Sequence, residues 1–205
     1  MPYRRTARVQ ARMDTQRAAI LDAAVDLLSE QGYAGCSMAA VAARAGIATG
    51  SVYRHFPGKA ELVVELFRIV VGHEVEAVAR AAAEPGDVLQ RVVAVVETFS
   101  SRALKSPRLA YALLAEPVDL PVEAERLVFR RAFRDIAAAQ IAAAVAAGVI
   151  PPQNPEITAA ALIGALGEIL VGPLADGAAS SDTVDLMPSI IAFTLRALGG
   201  PNADS

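Results

Sequence analysis

SMAAVAARAGIATGSVYRHFPGK, residues 37–59, decides how this 205-residue chain is read. Met38, Val41, Ala42 and Ala45 recur at i, i+3, i+4 and i+7, which is one face of a short helix. Ser37 stands before it as an N-cap whose side-chain oxygen accepts from first-turn N–H groups, and Gly46 supplies the left-handed backbone that ends a helix. Ile47 falls inside the turn. In the next segment Val52 and Phe56, four apart, share a buried face, while Gly50 and Arg54 point away, flanked by Ser51 and Tyr53. Pro57 and Gly58 stop it. Two short helices around a glycine-containing turn predict a helix-turn-helix over about 37–56, with a second helix shaped for a DNA major groove. A small helical bundle has the same spacing, so features outside the motif must separate the two readings.

Thr15 is a candidate cap for a preceding helix in which Ile20, Leu21, Ala24, Leu27 and Leu28 form an apolar stripe, with Gly32 at its end. Leu62, Val63, Leu66, Phe67 and Val70 predict a fourth helix running to about Ala83. Lys59 lies in its first turn, where a cation opposes the helix dipole but suits a phosphate. The whole chain has formal net charge −3, yet the part ending at Lys59 holds eight Lys/Arg against four Asp/Glu. The remainder holds eleven against eighteen. Arg4, Arg5, Arg8 and Arg12 lie in a leader, residues 1–13, without clear apolar periodicity; it reads as a basic arm along a phosphate backbone or minor groove, or as a solvated tail.

The run from Arg17 to Leu66, with ILDAAVDLL, the EQGYAG turn, SMAAVAARAGIATGSVYRHFPGKAEL and the Tyr53/His55/Phe56/Lys59 pattern, resembles the DNA-binding domain of tetracycline-repressor-type (TetR) transcriptional regulators. The likeness covers roughly a quarter of the chain. It implies an all-α protein with an N-terminal three-helix helix-turn-helix domain, residues 14–74, and a larger helical ligand-binding and dimerisation domain, residues 75–205. It also implies that Ser37 and Lys59 hold phosphates, that Ala48, Thr49, Gly50, Ser51, Tyr53, Arg54 and His55 lie at the DNA, and that Val52 and Phe56 anchor the recognition helix. Ala48 stands where the family often has serine, which removes one hydroxyl contact and leaves a methyl group able to meet a thymine methyl.

Chemistry assigns finer roles. Arg54 can pair with guanine O6 and N7, or hold a phosphate. The Tyr53 ring suits the sugar-phosphate edge, and Gly50 lets the backbone approach closely. His55 contacts a phosphate or packs within its own domain. His55 and His73 are the two histidines and Cys36 is the single cysteine, so no zinc spacing can be assembled and no cofactor is expected. One thiol and no secretory signal fit a cytoplasmic protein; Cys36 reads as a small buried residue, or as an oxidant sensor. A phosphate loop, a GxSxG elbow and a catalytic carboxylate pair are all missing from the sequence, which argues against an enzyme.

Hydrophobic residues make up 54% of the chain, many of them alanine in periodic segments between prolines, and this composition predicts helices throughout. Those beyond the fourth span about 87–105, 107–115, 122–148, 155–175 and 182–198. Residues 157–175 approach the length of a membrane span, but Glu168 near the middle opposes insertion and no membrane partner is expected. Ala160, Gly164, Glu168 and Gly172 lie four apart as a ridge of mostly small residues that lets another helix approach. With Ile190, Ile191, Phe193, Thr194 and Leu198 of the last helix it forms either a homodimer interface across a two-fold axis or an intramolecular core.

Phe99, Tyr111, Phe129 and Phe133 are candidates to line an effector cavity, with Arg130, Arg134, Glu116 or Asp119 orienting a polar group; core packing explains the aromatics equally. Arg126, Arg130 and Arg134 form an i, i+4 stripe that reads as a solvated ion-pair face or as a site for an acidic ligand. The expectation is a dimeric repressor on palindromic double-stranded DNA, released by an unidentified small molecule. The alternative is a helical dimeric scaffold, which lacks the salt-sensitive duplex affinity of a DNA-binding protein.

Overall fold

The computed structural model describes residues 7–176 and 186–199. Nine helices make up the described part: α1 (Ala7–Gly35), α2 (Met38–Arg44), α3 (Thr49–His55), α4 (Lys59–Ala82), α5 (Val88–Lys105), α6 (Pro107–Leu114), α7 (Leu120–Ala146), α8 (Pro155–Ala175) and α9 (Leu186–Ala197). The fold is all-α.

Caps explain most boundaries. Ser37 accepts from Ala40 N–H at 3.1 Å to start α2. Asp87 and Gln90 form a reciprocal capping box at α5, and Asn154 accepts from the Glu156 and Ile157 N–H groups at α8. Pro121, expected to precede α7, sits inside its first turn, where a missing N–H costs nothing, so α7 starts at Leu120. The start of α1 differs more. The chain is helical from Ala7, so Arg8 and Arg12 lie on a helix, where a basic arm or a solvated tail without helical periodicity is expected over residues 1–13; Arg4 and Arg5 lie outside the described residues. Thr15 does not cap a helix. Its hydroxyl donates to the Ala11 carbonyl one turn back, as a mid-helix threonine does.

Gly32 interrupts α1 with φ 67° and ψ −170°, a backbone state open essentially to glycine alone. From there the chain turns into α2, and α3 crosses it after the Gly46 turn (φ 66°). Ile20, Leu28, Val41, Val52, Leu62, Leu66 and Phe67 are buried together beneath this helical head. The same apolar cluster continues without a break through Val71, Val78 and Val95 to Ala112, Val122 and Phe133. Continuity is carried by α4, which packs on α1 at one end and on α5 and α7 along the rest, and which runs through the boundary expected near residue 74.

The remaining helices form a bundle with α5 against α4, α6, α7, α8 and α9. Although α8 is long and apolar enough to cross a membrane by length and composition, with mean hydropathy 1.8, its Ala159, Leu162, Leu166, Leu170 and Leu174 are buried in the bundle. Ile190 and Thr194, expected at a dimer interface, are also buried, at 1% and 0% exposure, because α9 turns its apolar stripe onto α5. Phe193 is half-buried against the same bundle core. Cys36 is fully buried, and burial pushes its thiol pKa up, which suits a packing role better than reactivity.

Candidate nucleic-acid interface and inner cavity

The outer surface of the head is built by what α2 and α3 bury. Val52 is inaccessible and Phe56 nearly so, which turns Gly50, Tyr53 and Arg54 toward solvent, with Tyr53 53% exposed. Thr49 and Ala48 are exposed at the start of α3, and Ser51 is half-buried. Arg54 has no carboxylate partner among the described residues; its one hydrogen bond, 3.3 Å to Ser51 Oγ, leaves most of its donors available. Ser37 is exposed, and its oxygen accepts the α2 cap bond, so the hydroxyl hydrogen remains free to donate outward. Ala48 as N-cap of α3 makes no side-chain hydrogen bond, the structural counterpart of the missing serine.

His55 turns inward. Its Nε2 lies 3.1 Å from Gln16 Oε1 of α1, an atom that can only accept, so this nitrogen carries the hydrogen. Burial, with Arg17 and Arg54 nearby, lowers the His55 pKa and favours the neutral ring. Arg17, not anticipated as a functional residue, makes a two-pronged ion pair with Glu65 of α4 and lies 4.8 Å over the Phe56 ring. It pins the end of α3 between α1 and α4. Arg44 similarly ties α2 to Glu30 of α1.

Lys59 occupies a prepared seat. Its Nζ is 3.8 Å from the centroid of the Tyr33 ring and donates to the Tyr33 carbonyl at 2.6 Å. Tyr33 is itself held from the bundle. The Gly32 break leaves the Tyr33 and Ala34 N–H groups outside any helix ladder, and both donate to the Glu116 carboxylate, at 2.7 and 3.3 Å. The Tyr33 hydroxyl donates to Asp119, and burial together with that bond raises the phenol pKa. The positive φ at position 32 favours glycine, and the Cβ of any other residue would lie 2.7 Å from Glu116 Oε2 and force the clasp carboxylate to shift. Asp119 stands at the N-cap position of α7 but makes no cap bond, its carboxylate being engaged by Tyr33.

Glu116 and Asp119 were expected to orient a polar group in a cavity. They belong instead to this clasp, because the α6–α7 connection reaches away from the bundle interior to the α1–α2 turn. Tyr111 does not line the cavity either. Phe99, Phe129, Phe133 and Arg130 do, in a space of about 1090 Å³ bounded by α4, α5, α6, α7 and α8. Phe99 and Phe133 meet edge to face, centroids 5.1 Å apart at 72°. Ala160 and Gly164 of the small-residue ridge are exposed along the same opening, while Gly172 is exposed beyond it.

Arg126, expected in a solvated stripe, is instead buried at 7% exposure. It donates to the carbonyls of Leu113 (2.8 Å), Ala112 (3.2 Å) and Glu116 (2.7 Å), and pairs with Glu123. Its task is to satisfy the open carbonyl end of α6, the place where a cation complements the helix dipole. Burial lowers its pKa from the ordinary guanidinium value. Arg126 thus touches the cavity on one side and fixes Glu116, the Tyr33 clasp residue, on the other.

Residues 20–66 match the family described as bacterial regulatory proteins, tetR family. Among curated proteins, the HTH-type transcriptional repressor KstR of Mycolicibacterium smegmatis is 35% identical over 102 residues, 48% of each chain. The fatty acid metabolism regulator protein of Bacillus subtilis is 29% identical over 82 residues, 40% of this chain and 42% of that one. The matched region thus spans about half the length of these relatives or less. Solved structures extend the likeness in fold to nearly the whole chain. FadR from Bacillus subtilis in complex with stearoyl-CoA aligns with TM-score 0.76 and 20% identity over 88% of this chain and 98% of that one. A complex of SmeT with triclosan aligns with TM-score 0.71 and 23% identity over 89% and 91%. With its helix-turn-helix, its clasped Lys59 and this shared fold, the chain carries a head, residues 20–66, that is similar to the tetR family of bacterial regulatory proteins.

Proposed function

We propose that this protein is a dimeric transcriptional repressor, without enzymatic activity and acting in the cytoplasm, that grips a palindromic operator through two copies of α3 and releases it when a small molecule occupies the inner cavity. The observation that carries the reading is the path from cavity to DNA surface. Arg126 lines the cavity and holds the Glu116 carbonyl, the Glu116 carboxylate holds Tyr33, and Tyr33 holds Lys59 at the head's surface. A ligand that favours a displaced α6 end over the present one shifts Lys59 and the head together, and each 1.4 kcal/mol of such preference changes operator affinity about tenfold.

Base recognition falls to Arg54, with Thr49, Gly50 and Tyr53 beside it; Ser37 and Lys59 bind flanking phosphates. Dimerisation is assigned to the outer side of α8, where Ile157 is 69% exposed and Ala161 and Gly172 are small and accessible. Relatives support each half of the scheme, since KstR is named a transcriptional repressor and proteins of this fold have been solved with stearoyl-CoA and with triclosan. The test is a competition between a palindromic fragment from the region upstream of the coding sequence and random duplex, read by fluorescence anisotropy. Specific binding to the former by a species of dimeric mass supports the proposal; equal, salt-insensitive or absent binding to both overturns it.

A further inference from the structure

Beyond Lys59 the chain has eleven Lys/Arg and eighteen Asp/Glu, yet the cavity reverses this balance. Six of those cations border it, Arg102, Lys105, Arg126, Arg130, Arg131 and Arg134, against two carboxylates, Glu74 and Glu168. Internal pairing accounts for part of the excess. Arg102 is paired with Glu74, Arg126 with Glu123, and Arg134 with Asp135 and Glu156. Lys105, Arg130 and Arg131 have no carboxylate partner among the described residues. Arg130 and Arg131 make only long bonds to the Leu114 and Leu127 carbonyls, 3.3 and 3.4 Å. All three cations are exposed at the mouth, whereas the interior walls are apolar, with Phe67, Val71, Leu113, Phe129, Phe133 and Ile163.

We infer that the cavity takes an anionic amphiphile, with a carboxylate or phosphate head held at the mouth by Arg130, Arg131 and Lys105 and an alkyl or similarly apolar tail lying between α4, α6, α7 and α8. The inference rests on the reading of the chain as a ligand-responsive regulator and names its effector class. Guanidinium groups bind such heads through paired, charge-assisted hydrogen bonds. The volume, about 1090 Å³, lies slightly above the range typical of drug-sized ligands, about 300–1,000 Å³, and far exceeds what a bare small anion fills. Glu168 faces the cavity from α8 and repels an anion there, which places the head on the α5–α7 side and the tail toward α8.

The experiment uses the full chain, with a fluorescent anionic naphthalene sulfonate as reporter and decyl compounds as competitors below their micelle concentrations. Decanoate and decyl phosphate are expected to displace the reporter at least tenfold more tightly than decanol or decyltrimethylammonium, and their ratio tells a carboxylate preference from a phosphate one. Shortening decanoate by two methylenes should weaken it by roughly tenfold, as tail burial requires. Arg130→Glu combined with Arg131→Glu should cost decanoate tenfold or more and decanol much less, with helicity by circular dichroism retained. Equal or tighter binding of decanol or of the cation, or indifference of decanoate to the double substitution, overturns the inference. Duplex affinity measured on the same sample separates the failures: intact DNA binding with the wrong ligand order sinks the effector class alone, whereas absent DNA binding sinks the regulator reading.

Discussion

Replacing Lys59 by methionine isolates one charge. The methionine stem still covers the Tyr33 ring, on which the lysine ammonium rests at 3.8 Å from the centroid, so packing is largely retained while the cation is removed. In a two-headed complex two phosphate contacts disappear. Each contributes about −0.9 to the slope of log K against log salt, so the slope of Lys59→Met is expected to be shallower by about 1.8. Between about 50 and 200 mM salt the unaltered protein should then lose roughly tenfold more affinity than the variant. Because the Tyr33 carbonyl already fixes Nζ, little side-chain freedom remains to be lost on binding, and the contact should be close to its full worth. Anisotropy titrations of a palindromic and a random duplex across that salt range measure both slopes, and both duplexes should respond alike. An unchanged slope with lowered affinity would show that Lys59 supports the head's shape through Tyr33 and does not touch a phosphate.

Arg54→Ala should act differently, costing about 1–3 kcal/mol per half-site on the palindrome and much less on random duplex; equal losses on both would reassign it to the backbone. Gly32→Ala forces a disfavoured backbone state and drives Cβ into Glu116, so urea unfolding should show a loss on the order of 3 kcal/mol, and a loss under about 1 would refute the clasp geometry. The lowered pKa of His55 means the unfolded chain takes up the proton first, so its contribution is present above the ordinary histidine value and fades on acidification; between pH 7 and 5 stability should fall less steeply in His55→Gln, as thermal melts will show. Ser100 Oγ is buried without a hydrogen-bond partner among the described residues, and Ser100→Ala is expected to raise stability by up to about 1 kcal/mol, a loss of similar size contradicting that assignment.

Local rules made the head legible in the sequence. The Ser37 cap, the Gly46 turn and the Val52/Phe56 face rest on spacings of a few residues, and α4, α5, α6 and α8 begin or end within about a turn of where prolines and caps place them. What stayed illegible depends on partners far along the chain. Glu116 and Asp119 lie more than eighty residues from Tyr33, and nothing near them in sequence signals that they reach it. Arg126 shares an i, i+4 spacing with Arg130 and Arg134, yet its fate was set by the open end of α6, a feature of tertiary packing alone. Ile190 and Thr194 are apolar enough for either an interface or a core, and the way α9 lies on α5 chose the core.

The unbroken apolar cluster from Ile20 to Phe133 also bears on how such a protein can be re-engineered. A head cut off after residue 74 would keep Phe67 and Val71 but lose the Val95, Ala112, Val122 and Phe133 surfaces that belong to the same cluster. Transplanting the α2–α3 surface proposed to read an operator onto a foreign sensor body therefore calls for joining the chains inside α4 with its inner face matched to the new host, because a clean swap at a linker has no linker to use.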